Sequence, residues 1–256
     1  MSRWLHRIAG SRLLKPVFWS LHMKVAEGVR HLIAQNQSNI DYERHIRARR
    51  ESVDYLEALE AERGRPIRAF PTRESLFLHG LSLVPKTQPG LILEFGVWKG
   101  ESVNFISKHT PETVFGFDSF EGLPEVWNSE YQASHFKMSY LPKVRKNVQL
   151  VKGWFNETLP PFLEKHPGPL ALLHVDSDIY SSAKTVLELL APRMRGNDAQ
   201  GKGGTVIIFD EFFNYPGWRQ HEFKAFQELL TSRNFAFEPI SYNSCHSQFC
   251  VQISRV

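Results

Sequence analysis

The stretch Leu91-Ile-Leu-Glu-Phe-Gly96-Val-Trp-Lys-Gly100-Glu-Ser102 joins a short apolar run to a glycine turn and the start of a helix. Its first five residues are almost continuously apolar, as in a parallel strand that is buried on both faces. Gly96 allows a tight turn after this strand, and Gly100 allows the backbone to approach a ligand at the helix N-terminus. The stretch therefore predicts a strand-turn-helix unit with a ligand at the carboxyl end of the strand. Because the G-x-x-x-G spacing lacks the third glycine of a dinucleotide fingerprint, an ordinary turn is the alternative interpretation.

The same alternation of strand and helix continues to the C-terminus. Further apolar runs follow at residues 113–118, 148–152, 170–176 and 205–210. Helical segments follow the first, fourth and fifth runs, at about residues 101–109, 180–190 and 219–232. The last two strands, 235–242 and 248–254, leave no room for a helix between them and should form an antiparallel hairpin. Five βα units that end in a hairpin are typical of the class I methyltransferase fold, a Rossmann-like α/β fold with a mostly parallel seven-stranded sheet.

The N-terminal part of the chain has a different composition. Residues 1–73 carry 14 Lys/Arg against 8 Asp/Glu, whereas residues 74–256 carry 17 against 19. Apolar residues at helical spacing in 3–34 and a Glu- and Arg-rich segment at 40–62 predict a basic helical extension, followed by a short helix at 74–83. We therefore divide the chain into an extension, residues 1–73, and a catalytic domain, residues 74–256.

The location expected from the sequence is the cytoplasm. Cys245 and Cys250 form neither a disulfide framework nor a metal-binding pair, and no secretory signal or membrane-spanning stretch is evident. The segment 3–34 carries six Lys/Arg and one acid, Glu27, so it suits peripheral contact with the inner face of a membrane. The alternative is that its apolar face packs on the catalytic domain or on a second subunit, and we expect a homo-oligomer.

Two strand ends carry groups that a nucleoside needs. Asp118 ends the second strand, where a carboxylate can accept hydrogen bonds from ribose hydroxyls, although it also suits a turn cap. After the third strand, an aromatic residue beside Gly153 can stack on a purine or pack in the core. The predicted cofactor-binding residues are Glu94, Gly96, Gly100, Ser102, Asp118, Ser119, Gly153, Trp154, Phe155 and Asp176.

The next two strands end in acids, Asp176-Ser-Asp178 and Asp210-Glu211. In a parallel sheet these strand ends lie at one edge, where several carboxylates repel one another unless a cation or a raised pKa relieves them. A hard divalent ion such as Mg²⁺ takes oxygen ligands of this kind and can lower the pKa of a substrate hydroxyl. The alternative is that these acids bind the cofactor and cap helices.

Four blocks together resemble the macrocin O-methyltransferase (TylF-type) family. They are residues 94–102, Phe117-Asp-Ser-Phe-Glu-Gly-Leu-Pro124, His174-Val-Asp-Ser-Asp-Ile-Tyr180 and Phe209-Asp-Glu-Phe212, within a resemblance that covers about residues 70–256. The resemblance implies a Mg²⁺-dependent O-methyltransferase that uses S-adenosylmethionine to methylate a hydroxyl of a sugar, a glycosylated metabolite or a glycan precursor.

By this resemblance Asp176, Asp210 and Glu211 match the metal positions, and Glu94, Gly96 and Asp118 match cofactor positions. Position 211 departs from the family pattern, because the family usually has a second aspartate there. The catalytic residue is left open among Asp178, His221 and His246, since general acid–base chemistry requires a geometry that the sequence does not supply.

Three other functional classes fit the sequence less well. Tyr180-Ser-Ser-Ala-Lys184 matches the Tyr-x-x-x-Lys pattern of short-chain dehydrogenases, which predicts an NAD-dependent oxidoreductase, but the glycine-rich dinucleotide turn is missing. A non-catalytic partner subunit would be expected to lack the strand-end acids, which are present here. A nucleic-acid substrate is not expected, because acids such as Asp41 and Glu43 interrupt the basic charge of the extension.

Overall fold

The computed structural model describes residues 39–86, 90–127 and 131–256. The predicted helix within 3–34 lies outside these residues. The chain divides into two compact units, residues 1–47 and 48–256, and the second contains all the strands of the described residues. No helix in the described ranges is long and apolar enough to cross a membrane.

A single eight-stranded sheet forms the centre of this unit. Its strands are β1 Arg68–Phe70, β2 Leu91–Phe95, β3 Val114–Asp118, β4 Val148–Lys152, β5 Leu170–Val175, β6 Val206–Phe209, β7 Ala236–Asn243 and β8 Phe249–Arg255. They lie in the order β1-β7-β8-β6-β5-β2-β3-β4. Strand β8 runs antiparallel to β6 and β7, and every other neighbouring pair is parallel. This arrangement confirms the predicted fold class and adds one short edge strand, β1.

Helices cover the two faces of the sheet. They are α1 Ile40–Arg63, α2 Arg73–Leu83, α3 Glu101–Lys108, α4 Phe155–Lys165, α5 Tyr180–Leu190 and α6 Glu222–Arg233. Successive side chains of a strand point to opposite faces, so Ile92 packs in a core with Phe77 of α2, and Leu93 packs in a second core with Leu187 of α5. The two cores hold the strand ends rigidly in place.

The connection between β3 and β4 differs from a regular succession of five βα units. Its described residues, 119–127 and 131–147, form turns and loop without a helix. Backbone hydrogen bonds nevertheless order this connection, including Leu123 N to His135 O at 3.0 Å and Met138 N to Phe120 O at 3.0 Å. We call residues 119–147 the β3–β4 loop.

The predicted boundary after residue 73 stays a prediction. Strand β1 precedes it and pairs with β7, through Arg68 opposite Ser241 and Phe70 opposite Asn243. Thr72 begins α2 by accepting a hydrogen bond from Ser75 N at 3.2 Å, as an N-cap residue does.

Candidate active site

A cavity of about 470 Å³ lies at the carboxyl ends of the central strands. It lies where the strand order reverses, because the chain runs from β2 through β3 to β4 on one side and returns to place β5 on the other side of β2. Open parallel sheets bind ligands at such a point, and the volume lies within the range of small-molecule sites. The predicted residues that line it are Gly96, Asp118, Ser119, Trp154, Phe155, Asp176, Asp178, Asp210 and Glu211.

Gly96 forms the turn between β2 and the cavity. Its φ of 97° favours glycine, and a Cβ built there would lie 1.7 Å from the carbonyl oxygen of Asp176. The Gly96 amide donates to Phe117 O at 2.9 Å, and the Asp176 amide donates to Phe95 O at 2.9 Å. Glycine at this position therefore brings the ends of β2, β3 and β5 together.

Asp118 both caps the turn and faces the cavity. Its Oδ2 accepts hydrogen bonds from Val97 N and Trp98 N, each at 2.8 Å. Its Oδ1 accepts from Phe120 N at 2.6 Å. The two interpretations of this carboxylate are therefore compatible, because each carboxylate oxygen can accept more than one hydrogen bond.

Four of the predicted cofactor residues are not among those that line the cavity. Glu94 is completely buried, and its Oε1 accepts from Ser102 Oγ at 3.0 Å. A Cβ on Gly100 would face Pro142, and one on Gly153 would face Thr158. Contact of these four residues with a cofactor stays a prediction.

Three carboxylates converge at the acidic edge of the cavity. Oxygens of Asp176, Asp178 and Glu211 lie within 4.8 Å of one another. Burial and the charge of Asp210 raise the pKa of Asp176 and of Glu211 well above their ordinary values. Burial, Asp210 and Asp118 raise the pKa of Asp178 to about 7. Ionised carboxylates are therefore costly here without a compensating positive charge.

Asp210 has two cationic side chains within ion-pair distance. Its Oδ1 lies 3.6 Å from His174 Nε2 and 3.7 Å from a guanidinium nitrogen of Arg73. Burial opposes ionisation of Asp210, but His174 and Arg73 outweigh it and lower the pKa of this carboxyl. Burial would likewise lower the pKa of His174, yet the Asp210 and Glu94 carboxylates raise it to about 10. His174 Nδ1 lies 3.0 Å from Glu94 Oε2, so a buried chain of charges runs from the cavity to β2.

Sequence reasoning missed Arg73, His174 and Glu222. Glu222 is completely buried and accepts hydrogen bonds from Ser177 N at 3.2 Å and from Glu211 N at 3.1 Å. It therefore joins the two loops that carry the acids. Glutamate is common in the first turn of helices because it interacts favourably with the helix dipole. The sequence around Glu222 therefore gives no sign of its role in the site.

The three candidate catalytic residues occupy different places. Asp178 lines the cavity. His221 is half-buried beside it, with its ring centroid 6.2 Å from that of Trp127, and burial lowers its pKa. His246 is exposed in the turn between β7 and β8, and neither histidine is among the residues that line the cavity.

The Tyr-x-x-x-Lys pattern has a structural role on the outer side of α5. Tyr180 donates to Glu228 Oε2 at 2.7 Å, and Lys184 Nζ donates to the same oxygen at 2.7 Å. The opposite side of α5 contributes Ser181 and Thr185 to the cavity. The pair therefore links α5 to α6 and does not face the ligand site.

Comparisons with known proteins agree with this geometry. The family profile described as Macrocin-O-methyltransferase (TylF) matches residues 82–233. A Streptomyces olivaceus protein, 8-demethyl-8-(2,3-dimethoxy-alpha-L-rhamnosyl)-tetracenomycin-C 4'-O-methyltransferase, is 33% identical over an alignment of 147 residues that covers 48% of this chain and 53% of that protein. The demethyldecarbamoylnovobiocin O-methyltransferase of Streptomyces niveus is 31% identical over 147 residues, with the same coverage. The chain thus spans about half the length of the curated relatives it matches.

Two solved structures show the same fold. The O-methyltransferase NovP superimposes with a TM-score of 0.51 at 24% identity, over 72% of this chain and 80% of that one. The calicheamicin methyltransferase CalS11 superimposes with a TM-score of 0.50 at 20% identity, over 89% and 91%.

Proposed function

The chain belongs to the macrocin O-methyltransferase (TylF) family, and from that premise we propose that it transfers a methyl group from S-adenosylmethionine to a hydroxyl of a sugar. The acceptor would be a free sugar, a glycosylated metabolite or a glycan precursor. One observation carries the proposal. A single cavity is lined both by the Gly96 turn with Asp118 and by the acids Asp176, Asp178 and Glu211. Donor and acceptor would therefore meet within one cavity.

The residues at one end of the cavity fit S-adenosylmethionine. Gly96 leaves room that any Cβ would close, and Asp118 presents a carboxylate to accept hydrogen bonds from a ribose. Trp154 and Phe155 line the same space and offer aromatic surface to a purine. When bound, S-adenosylmethionine supplies an electrophilic methyl group and leaves as S-adenosylhomocysteine.

The acidic edge fits a divalent cation such as Mg²⁺. Asp210 Oδ1 and Glu211 Oε2 are buried without a hydrogen-bond partner in the part of the chain described. Oxygens from Asp176, Asp178 and Glu211 are close enough to share one ion, and hard cations prefer such ligands. A bound ion would lower the pKa of the acceptor hydroxyl.

The protein's own groups have separate tasks in this proposal. Asp178 is the one of the three candidate bases that lines the cavity, so we assign proton removal from the acceptor hydroxyl to the Asp178 oxygen that would not bind the ion. Glu222 holds the two acidic loops in register through their backbone amides. Arg73 and His174 hold Asp210 ionised beside them. The deprotonated acceptor oxygen would then bond to the methyl carbon as the bond between that carbon and sulfur breaks, leaving S-adenosylhomocysteine.

The proposal is tested by methyl transfer from radiolabelled S-adenosylmethionine. The protein would be incubated with Mg²⁺ and with fractionated glycolipids, polysaccharide precursors or small glycosylated metabolites. We expect one fraction to take up label in an alkali-stable ether, and Asp178→Asn to reduce the uptake strongly. A protein that binds S-adenosylhomocysteine but labels no fraction would contradict an acceptor of these classes. One that binds no S-adenosylhomocysteine would contradict the methyltransferase function itself.

A further inference from the structure

The cavity has an aromatic surface in addition to the charged acidic edge. Trp98 follows the Gly96 turn, and Trp127, Tyr131 and Phe136 come from the β3–β4 loop; all four line the cavity. We call these four residues the aromatic wall. The proposed methyl donor and metal account for the glycine turn and the acids, and they assign no role to these four rings.

The four rings form one continuous surface. The centroids of Trp98 and Phe136 are 5.3 Å apart, those of Phe136 and Tyr131 are 5.6 Å apart and stacked, and those of Tyr131 and Trp127 are 5.0 Å apart. Such separations are those of interacting aromatic pairs. Trp98 is still 40% exposed, and the other three rings are half-buried. The surface is therefore packed within itself and open on one side.

Two residues of the aromatic wall have a strained backbone conformation. Trp98 has a φ of 45° and Phe136 a φ of 68°, a left-handed conformation that bulky side chains rarely adopt. Backbone hydrogen bonds stabilise the loop in this conformation. Trp127 N donates to Tyr131 O at 3.0 Å, and Ser134 N donates to Leu123 O at 2.9 Å. Strained residues that the surrounding structure retains are concentrated at ligand sites.

The aromatic wall and the acids line the same cavity. The Trp127 ring lies 6.1 Å from that of Tyr215, whose hydroxyl donates to the backbone carbonyl of Glu211 at 3.1 Å. A ligand lying on Trp127 would therefore share the cavity with the carboxylates and could turn one edge to them. A pyranose ring suits this arrangement, because its C–H faces are apolar and its edge carries hydroxyls.

We propose that the aromatic wall binds the pyranose ring of the acceptor by stacking, with Trp127 directing one ring hydroxyl toward the acidic edge. The inference rests on the proposed function and adds to it the residues that select the acceptor. Because Trp127 belongs to the β3–β4 loop and not to the Gly96 turn, its loss should affect acceptor binding and leave the cofactor site intact.

The test measures two affinities on the full chain. Binding of S-adenosylhomocysteine is measured by calorimetry, and binding of methyl α-L-rhamnoside, methyl α-D-mannoside and methyl β-D-glucoside by saturation-transfer NMR. We expect saturation of the C–H protons of at least one glycoside. Trp127→Ala should weaken that binding about tenfold, whereas Trp127→Phe should retain most of it because a ring remains. Tyr140→Ala removes an exposed aromatic outside the wall and is the matched control.

The outcomes distinguish the proposed acceptor site from the proposed methyltransferase function. Unchanged S-adenosylhomocysteine affinity in every variant, together with a selective loss of glycoside binding in Trp127→Ala, supports the wall. If the native protein binds no glycoside, or if Trp127→Ala binds it equally well, the proposed role of the aromatic wall is wrong. Binding of S-adenosylhomocysteine in the same experiment would still support the methyltransferase function. Failure of the native protein to bind S-adenosylhomocysteine overturns both.

Discussion

At the scale of single residues, Asp118 combines two roles that are usually separate. It accepts three backbone hydrogen bonds from the turns around it and also faces the cavity. Asp118→Ala should weaken S-adenosylhomocysteine binding by about 1–3 kcal/mol, the cost of losing hydrogen bonds to a charged group. Calorimetry at 25 °C would measure this change. The free energy of unfolding should fall as well, because the amides lose their acceptor.

A matched control separates the two effects. Asp198 also caps a loop, accepting from Gln200 N at 2.9 Å and Lys202 N at 2.8 Å, but it is not among the residues that line the cavity. Asp198→Ala should therefore lower stability and leave S-adenosylhomocysteine affinity unchanged. Equal affinities in the native protein and Asp118→Ala would remove Asp118 from the cofactor site.

The acidic residues make a second prediction at this scale. Mg²⁺ at a few millimolar should raise the melting temperature, because an ion bound only to the folded state stabilises it. Asp176→Asn should abolish this response and should itself raise the melting temperature without metal, since it removes one of the mutually repelling charges. Glu164→Gln, which changes an exposed carboxylate on α4, should respond to Mg²⁺ as the native protein does.

Activity offers an independent check of the same site. Methyl transfer should disappear with a chelator and return with excess Mg²⁺. Transfer that survives chelation would mean that the acids act through hydrogen bonds or have a structural role.

At the scale of elements, helix α5 contacts α6 on one side and lines the cavity on the other. Tyr180 and Lys184 bind Glu228 on one side of α5, while Ser181 and Thr185 line the cavity on the other. Tyr180→Phe should cost about 1 kcal/mol of unfolding free energy, typical of one lost hydrogen bond. It should leave S-adenosylhomocysteine affinity unchanged in calorimetry. A tenfold loss of that affinity would instead place Tyr180 in the ligand site.

The β3–β4 loop shows how an element can be functional without regular structure. A helix in this position would cover the sheet, whereas the loop brings Trp127, Tyr131 and Phe136 to the cavity. Loops on a rigid sheet are common carriers of specificity. Acceptor preference is therefore expected to vary with this segment more than with the strands.

At the scale of the whole molecule, the basic segment 3–34 makes the remaining prediction. If it contacts membranes, vesicles of anionic lipid should sediment the full chain, and salt should weaken the association. Changing Arg3, Arg7 and Arg12 to Glu should abolish sedimentation. The same change at Arg47, Arg49 and Arg50, which are exposed on α1, should have less effect.

The opposite outcome identifies the alternative role. Native protein that stays in the supernatant contradicts membrane contact. If the triple substitution near the N-terminus also converts a dimer to a monomer on a sizing column, the segment is an oligomer contact.

Much of the fold could be predicted because it depends on local patterns. Apolar runs such as 91–95 and 170–176 indicate buried parallel strands, and the short spacing between the last two strands forces a hairpin. The observed strands Leu91–Phe95 and Leu170–Val175 match these runs closely. The Gly96 turn and the strand-end acids could be located for the same reason, since parallel strands present their carboxyl ends at one edge.

The sequence by itself therefore determined the fold class, the family and the edge of the sheet at which the site lies. Only the tertiary structure decided which residues face the cavity. Glu94 and Ser102 lie behind it, while Arg73 reaches it from a helix far away in sequence. Glu222 and the aromatic wall depend on contacts between segments that no local pattern connects. The alternation of side chains along a strand follows from the backbone geometry of that segment alone. Which side chains contact one another depends on how the segments pack.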